Sequence, residues 1–340
     1  MSSSPVSKIT PAGLPADLCL RIYDVMLRAR VLEERLITMY KQGDGFFWIG
    51  GPGEEAFNVP LGMLVNKGMG VDHDYLHLHY RSSGTLLALG ADPVDSLRQM
   101  KNTATDPYSR GRNFAGHFSV RKWNVVPVSS PIEVQFSIAI GSARAQRKGT
   151  GAKGITIVQG GDAGTAEGDF ATAMLWSSRK GAELPLLMIV TNNRYGISTP
   201  YQGQHGYDQI SERAKAFGMP TAVVDGNDIE ASYAALQKAI EYVRTEKKPY
   251  MLEAMVSRLR GHSSASGANL EKNELDCLDV LEQKLEARGL LTRAQMQDQR
   301  TKLTNELGEA AARIRSEPQP DPSAIHDYIF ADKNYVGGEG

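Results

Sequence analysis

The amino-acid sequence predicts an α/β fold: a doubly wound, mostly parallel sheet with an N-terminal helical arm and C-terminal helices. Three observations carry that prediction. Residues 154–159 (GITIVQ) and 186–191 (LLMIVT) are short, almost continuously apolar runs, the pattern of strands buried on both faces. Between them lie a Gly-rich turn and a helical stretch from about Asp169 to Arg179, stopped by Gly181 and Pro185. A strand, helix and strand of this length form a right-handed crossover, which brings both strand ends to one edge of a parallel sheet. Alternation of strand-like and helix-like segments then continues to about Glu253.

Taken in order, residues 1–16 are polar, hold Pro11 and Pro15, and read as an extended arm. Asp17–Lys41 places Leu18, Ile22, Val25, Ala29, Leu32, Leu36 and Met39 near helical spacing, and Gly43 and Gly45 end that helix. The alternating stretch 71–79 (VDHDYLHLH) reads as a strand leading to Tyr80-Arg81. Ser130-Pro131-Ile132-Glu133 has the composition of a helix start, with Ser as N-cap, Pro at the first position and Glu at the third. Residues 251–257 (MLEAMVS) are strand-like and precede His262. From Leu270 to Glu317 the character turns charged and helical, with Gly289 as a stop and Thr292 with Gln295 as a capping box. The predicted organisation is an arm (1–16), an α/β domain (17–270), a helical segment (271–317) and a tail (318–340).

Composition excludes several function classes. The 340 residues are 41% hydrophobic and 23% charged, as in a soluble globular protein. A net charge of −1 gives no electrostatic reason to expect nucleic acid or an anionic membrane as a partner. No apolar run reaches the ~20 residues of a spanning helix. Two cysteines, Cys19 and Cys277, are too few for a disulfide framework, and the first residues lack the apolar core of a secretory signal. A cytoplasmic location is expected.

Chemistry concentrates at the first crossover. Asp162 sits inside the Gly-rich turn, and Asn192-Asn193 follows the second strand, so the fold brings them to the edge where open α/β sheets bind ligands. Glycines and a helix start favour a phosphate there, but a carboxylate in the same loop would repel one unless a divalent cation lay between them. Asp162, the side-chain oxygen of Asn193 and a backbone carbonyl, assigned to Tyr195, are hard oxygen ligands suited to Mg²⁺. The G-x-G-x-x-G fingerprint of a bare dinucleotide site is missing. On local evidence, an ordinary strand-to-helix turn with polar strand ends is equally compatible.

The Gly-Asp turn followed by Asn-Asn resembles the thiamine diphosphate-binding motif. With it, GGDAGTAEGDF, NNRYGISTP, VDGNDIEASY and RLRGHSSAS are similar to the α subunit of the decarboxylating first component of 2-oxo acid dehydrogenase complexes. PGEEAFNVPLG, SRGRNFAGHFS and VSSPIEVQ look most like its branched-chain branch, and the resemblance spans about residues 27–266. It implies oxidative decarboxylation of a branched-chain 2-oxo acid such as 3-methyl-2-oxobutanoate, with acyl transfer to lipoamide on a second, acyltransferase component. It also implies an α₂β₂ enzyme whose β subunit supplies the activating glutamate, since no second sheet domain follows Leu270. Arg81, with Tyr80, then matches the terminal-phosphate site and Ser130 a cofactor contact. Ile132 matches the bulky residue under the thiazolium, and Gly161, Ala163 and Gly164 the cofactor loop. His262 matches the active-site histidine that bonds the phosphate and assists acyl transfer.

Departures from the pattern qualify these implications. Ser129, Pro131 and Gln135 match a potassium site, but Val134 stands at its threonine position and an alkyl group offers no oxygen, so K⁺ is not expected. Ala163 replaces the third motif glycine, and Gly267 stands where an acidic residue often follows Ser263, the counterpart of a phosphorylated serine. Thr191 replaces an arginine before Asn-Asn, for which Arg194 is the candidate substitute. His77 and His79 share a strand face, yet no third soft ligand lies near enough in sequence for zinc. Phe114 and Phe118 are candidates for shaping the substrate pocket. Alternatives are a pyruvate or acetoin dehydrogenase α subunit, a catalytically silent homologue kept for assembly, and an unrelated metal-dependent phosphate-binding enzyme.

Overall fold

A computed structural model of the chain describes residues 13–149, 151–271 and 273–327. Most of the arm (1–12) and the end of the tail (328–340) lie outside the described residues. The elements in chain order are α1 (Ala16–Lys41), α2 (Glu55–Leu64), β1 (Tyr75–His77), α3 (Ser83–Ala88), α4 (Pro93–Lys101), α5 (Val134–Lys148), β2 (Thr156–Gly161) and α6 (Gly168–Ser177). They continue with β3 (Leu186–Asn192), β4 (Tyr195–Gly196), β5 (Thr199–Pro200), α7 (Glu212–Lys215), β6 (Thr221–Asp225), α8 (Ile229–Glu246), β7 (Tyr250–Met255), α9 (Cys277–Ala287) and α10 (Arg293–Ile314).

Five strands form one parallel sheet in the order β1-β2-β3-β7-β6, and β4 and β5 make a small antiparallel ribbon. The doubly wound arrangement follows from the period of two along each strand. Leu187 and Ile189 of β3 join Phe57 and Leu61 of α2 and Leu236, Ile240 and Val243 of α8 on one face. Leu186, Met188 and Val190 turn the other way, onto Phe136 and Ala139 of α5 and Phe170 and Met174 of α6. A third core joins α1 to α9 and α10 through Ile22, Leu32, Leu281, Leu307 and Ile314. Arg30 of α1 ties that layer together, its guanidinium bonded to Glu55 at 2.7 Å and to Asp276 at 2.6 Å.

Local signals account for several boundaries. Gln42 caps α1 and Gly43 takes a positive φ of 78°, the left-handed step that turns the chain away. Thr292 and Gln295 make the expected capping box at the start of α10. One expectation fails. Ser130-Glu133 does not open a helix; α5 starts at Val134, and Glu133 is left-handed with φ 64°. Neither supposed capping group caps: Ser130 Oγ lies 2.9 Å from His117 Nε2, and the Glu133 carboxylate is buried near the Gly161 N–H.

Candidate active site

The parallel register of β2 with β3 pairs Gly161 with Thr191, so the chain leaves the sheet at adjacent points carrying Asp162 and Asn193. Asp162 is buried, and the nearby backbone N–H groups of Asp162 itself, Asn193 and Ala163 favour its charged form. Burial nevertheless raises its pKa to about 6, and Oδ2 has no protein partner. Asn193 Oδ1 accepts the Tyr195 N–H at 3.2 Å, and Tyr195 is 38% exposed. No cluster of three or more His, Cys, Asp or Glu able to hold a metal occurs among the described residues. A single carboxylate with an amide oxygen and a carbonyl suits Mg²⁺ that takes its remaining ligands from phosphate and water. His77 and His79 build no zinc site: His77 Nε2 lies 3.0 Å from Ser142 Oγ, and His79 is tilted against Tyr80 with ring centroids 3.7 Å apart.

Arg81 follows β1 in the turn before α3 and is buried. Its guanidinium donates to the Gly50 carbonyl, to the His262 carbonyl at 3.2 Å and to His262 Nδ1 at 3.1 Å. Arginine can only donate, so Nδ1 is the acceptor and the imidazole proton sits on Nε2. Burial, then the charges of Arg81 and Arg258, depress the His262 pKa to about 4, so the ring is neutral near pH 7. Glu54 approaches the Arg81 Nε at 4.0 Å; burial lifts its pKa to about 7, opposed by Arg81.

Ile132 is 58% exposed and projects beside the loop, close enough to Gly164 that a Cβ there would lie 2.6 Å from Ile132 Cγ2. Ala163 packs against Gly196 of β4. Phe114 is half-exposed, tilted against Phe47 at 5.1 Å and edge-on to His117 at 6.1 Å. Phe118 is a core residue packed among Leu78, Val125 and Val128, so it lines no pocket. At the expected potassium position Val134 starts α5, and Gln135 Nε2 donates to the Gln159 carbonyl at 3.0 Å. Arg194 is exposed in a left-handed turn, whereas Arg258 is buried with its guanidinium 4.9 Å from the centre of the Tyr195 ring.

Three groups at this edge have no site role in the sequence reading, His117, Arg258 and Glu253, and Glu133 is read there only as a capping residue. Glu133 is buried with Oε2 unpartnered, and burial raises its pKa to about 8 against the Gly161 N–H that stabilises the anion. His117, Glu133 and Arg258 lie in the quoted segments SRGRNFAGHFS, VSSPIEVQ and RLRGHSSAS, their only signal for this site; Glu253 has none and joins the edge through contacts distant in sequence.

Residues 23–323 match the family described as the dehydrogenase E1 component. The 2-oxoisovalerate dehydrogenase subunit alpha of Bacillus subtilis is 30% identical over 330 residues, covering 94% of this chain and 97% of that one. The mitochondrial counterpart of Dictyostelium discoideum is 32% identical over 251 residues, covering 74% of this chain and 55% of its own length. The human mitochondrial counterpart is 26% identical over 328 residues, covering 94% and 72%. With the match spanning most of the chain and the sheet edge built as described, the chain belongs to the dehydrogenase E1 component family.

Proposed function

We propose that this chain is the α subunit of a branched-chain 2-oxo acid dehydrogenase. Its sheet edge would hold the diphosphate half of thiamine diphosphate through Mg²⁺. The observation that carries the reading is the buried carboxylate oxygen of Asp162, which has no protein partner and stands beside Asn193 at the ends of two adjacent parallel strands. Asp162, Asn193 and the Tyr195 carbonyl would ligate the metal. Arg81 would donate to the terminal phosphate, and His262 would present its Nε2–H. Gly161, Ala163 and Gly164 would supply close backbone approach, with Tyr80, Ser130 and Ile132 along the cofactor. When bound, thiamine diphosphate supplies the electron sink for loss of carbon dioxide; this chain's part is binding, orientation and exclusion of water. A β subunit in an α₂β₂ assembly and a lipoyl-bearing acyltransferase complete the reading. The relatives named for 2-oxoisovalerate support the branched-chain substrate.

The test is titration calorimetry of thiamine diphosphate onto the enzyme co-expressed with its β subunit, with and without chelator. Asp162→Ala should abolish binding while the fold survives. Undiminished binding would remove the metal bridge. Decarboxylation of a panel of 2-oxo acids by the same enzyme tests the substrate. 3-Methyl-2-oxobutanoate has two carbons more than pyruvate, each adding about 0.8 kcal/mol on burial, so its specificity constant should exceed that of pyruvate by about tenfold. A preference for pyruvate would move the chain to the pyruvate or acetoin branch.

A further inference from the structure

We propose that Glu253 is a positioning residue that sets the geometry of the metal-binding turn from Asn193 to Tyr195. The proposal rests on the thiamine diphosphate and Mg²⁺ reading above and assigns a function to a side chain that reading leaves unused.

Glu253 lies in β7, paired with Val190 of β3, and is 0% exposed. Its two oxygens are engaged by two donors: Oε1 accepts Asn192 Nδ2 at 2.8 Å, and Oε2 accepts the Ser211 N–H at 2.8 Å. Among the described residues it is in no ion pair. Burying a carboxylate without a cation is costly, and a neutral pair could make as many hydrogen bonds for less.

The geometry explains why a carboxylate stands there. Asn192 can face either way, and Glu253 fixes it with the amide nitrogen inward. Its oxygen is thereby aimed outward, where it accepts the Arg194 N–H at 3.0 Å. That bond closes a turn in which Arg194 takes φ 67°, a conformation uncommon for a side chain without local support. Asn193 and Tyr195 flank Arg194, and the Asn193 side-chain oxygen meets the Tyr195 N–H within the same turn. One carboxylate thus orients an amide, the amide orients a backbone step, and that step places the amide and carbonyl oxygens offered to the metal. Partners of ligands commonly act this way, and their removal costs metal affinity about 10- to 100-fold. Both carboxylates also bear on one neighbour: the Tyr201 hydroxyl is pushed up first by burial, then by the charge of Glu253 and, more weakly, by that of Asp162.

The arrangement allows a polarity exchange. Glu253→Gln must put an NH₂ group against a donor, either Asn192 or Ser211, or turn the Asn192 amide so that its own NH₂ meets the Arg194 N–H. In Glu253→Gln with Asn192→Asp, the new amide donates to the new carboxylate, and every bond and the net charge are restored. The measurement is Mn²⁺ affinity by electron paramagnetic resonance on the assembled enzyme at saturating thiamine diphosphate, beside the melting temperature of the metal-free protein. Glu253→Gln and Asn192→Asp should each weaken Mn²⁺ binding about tenfold or more, and the double variant should return to within about threefold of the parent. Single variants with parental Mn²⁺ affinity would overturn the proposal, whatever their melting temperatures. So would a folded double variant as weak as the singles, which also serves as the test if a single variant does not fold. Failure of all three to fold would assign the contact to stability alone and overturn the positioning role. Absence of cofactor-dependent Mn²⁺ binding in the parent would instead overturn the thiamine diphosphate reading, and this inference with it.

Discussion

Gly164 is where the loop is tightest. A Cβ added there would lie 2.2 Å from Glu133 Oε1 and 2.6 Å from Ile132 Cγ2. The buried Glu133 carboxyl cannot yield freely, whereas the exposed Ile132 can. Gly164→Ala should therefore displace Ile132 and cost about 1–3 kcal/mol of stability, the usual range for overpacking. Urea denaturation, with thiamine diphosphate titrated onto the folded variant, checks both effects; unchanged stability and affinity would show that the loop has room. The residue type at this position was legible because a Gly-rich turn after a strand has few uses. Asp162, Asn193, Arg81 and His262 were legible for a similar reason, each lying in a short motif. Glu133 and Ser130 were misread because they satisfy a capping pattern locally. Their actual neighbours, Gly161 and His117, are remote in sequence.

Strands and helices were the most legible level. α1, β3 and α10 carry their pattern within one window, and the caps at Gln42 and Thr292 need only neighbours. The strand holding His77 is different: β1 is three residues long, and its alternating sequence does not reveal that both faces are covered. His77 is buried with Nδ1 unpartnered, and burial lowers its pKa from 6.5 to about 4. The sign follows from proton uptake. Above pH 6.5 the ring is neutral whether the chain is folded or not. Below it, the unfolded chain takes a proton that the folded chain refuses, so stability falls as pH drops towards about 4. The loss attributable to His77 should reach about 3 kcal/mol. Denaturation midpoints at pH 7.5 and pH 4.5 should converge in His77→Gln relative to the parent; an equal pH dependence in both would show that His77 does not titrate this way.

At the scale of the molecule, the site is open. Ile132 and Tyr195 are exposed at its wall, and Ser130 and Phe114 face solvent nearby. Chemistry of this class needs a dry pocket, because water around the reacting groups weakens each electrostatic contact and admits side reactions. The apolar surface points the same way: Ile138 of α5 and Leu175 and Trp176 of α6 are exposed on helices whose inner faces pack the sheet. Large apolar side chains left outside commonly mark a surface that another chain covers. Among the carboxylates at the edge, Glu253 is bonded to Asn192, Glu54 and Glu133 are buried, and Asp162 is the one that the proposed reading gives to the metal. On the proposed reading, the glutamate that activates the cofactor comes from the β subunit. Purified alone, this chain should show no decarboxylation and weak cofactor binding. Co-expression should yield an α₂β₂ species by light scattering, with turnover restored. Robust turnover by the chain alone would show that it needs no second subunit to close the pocket, and the requirement for one would be lost.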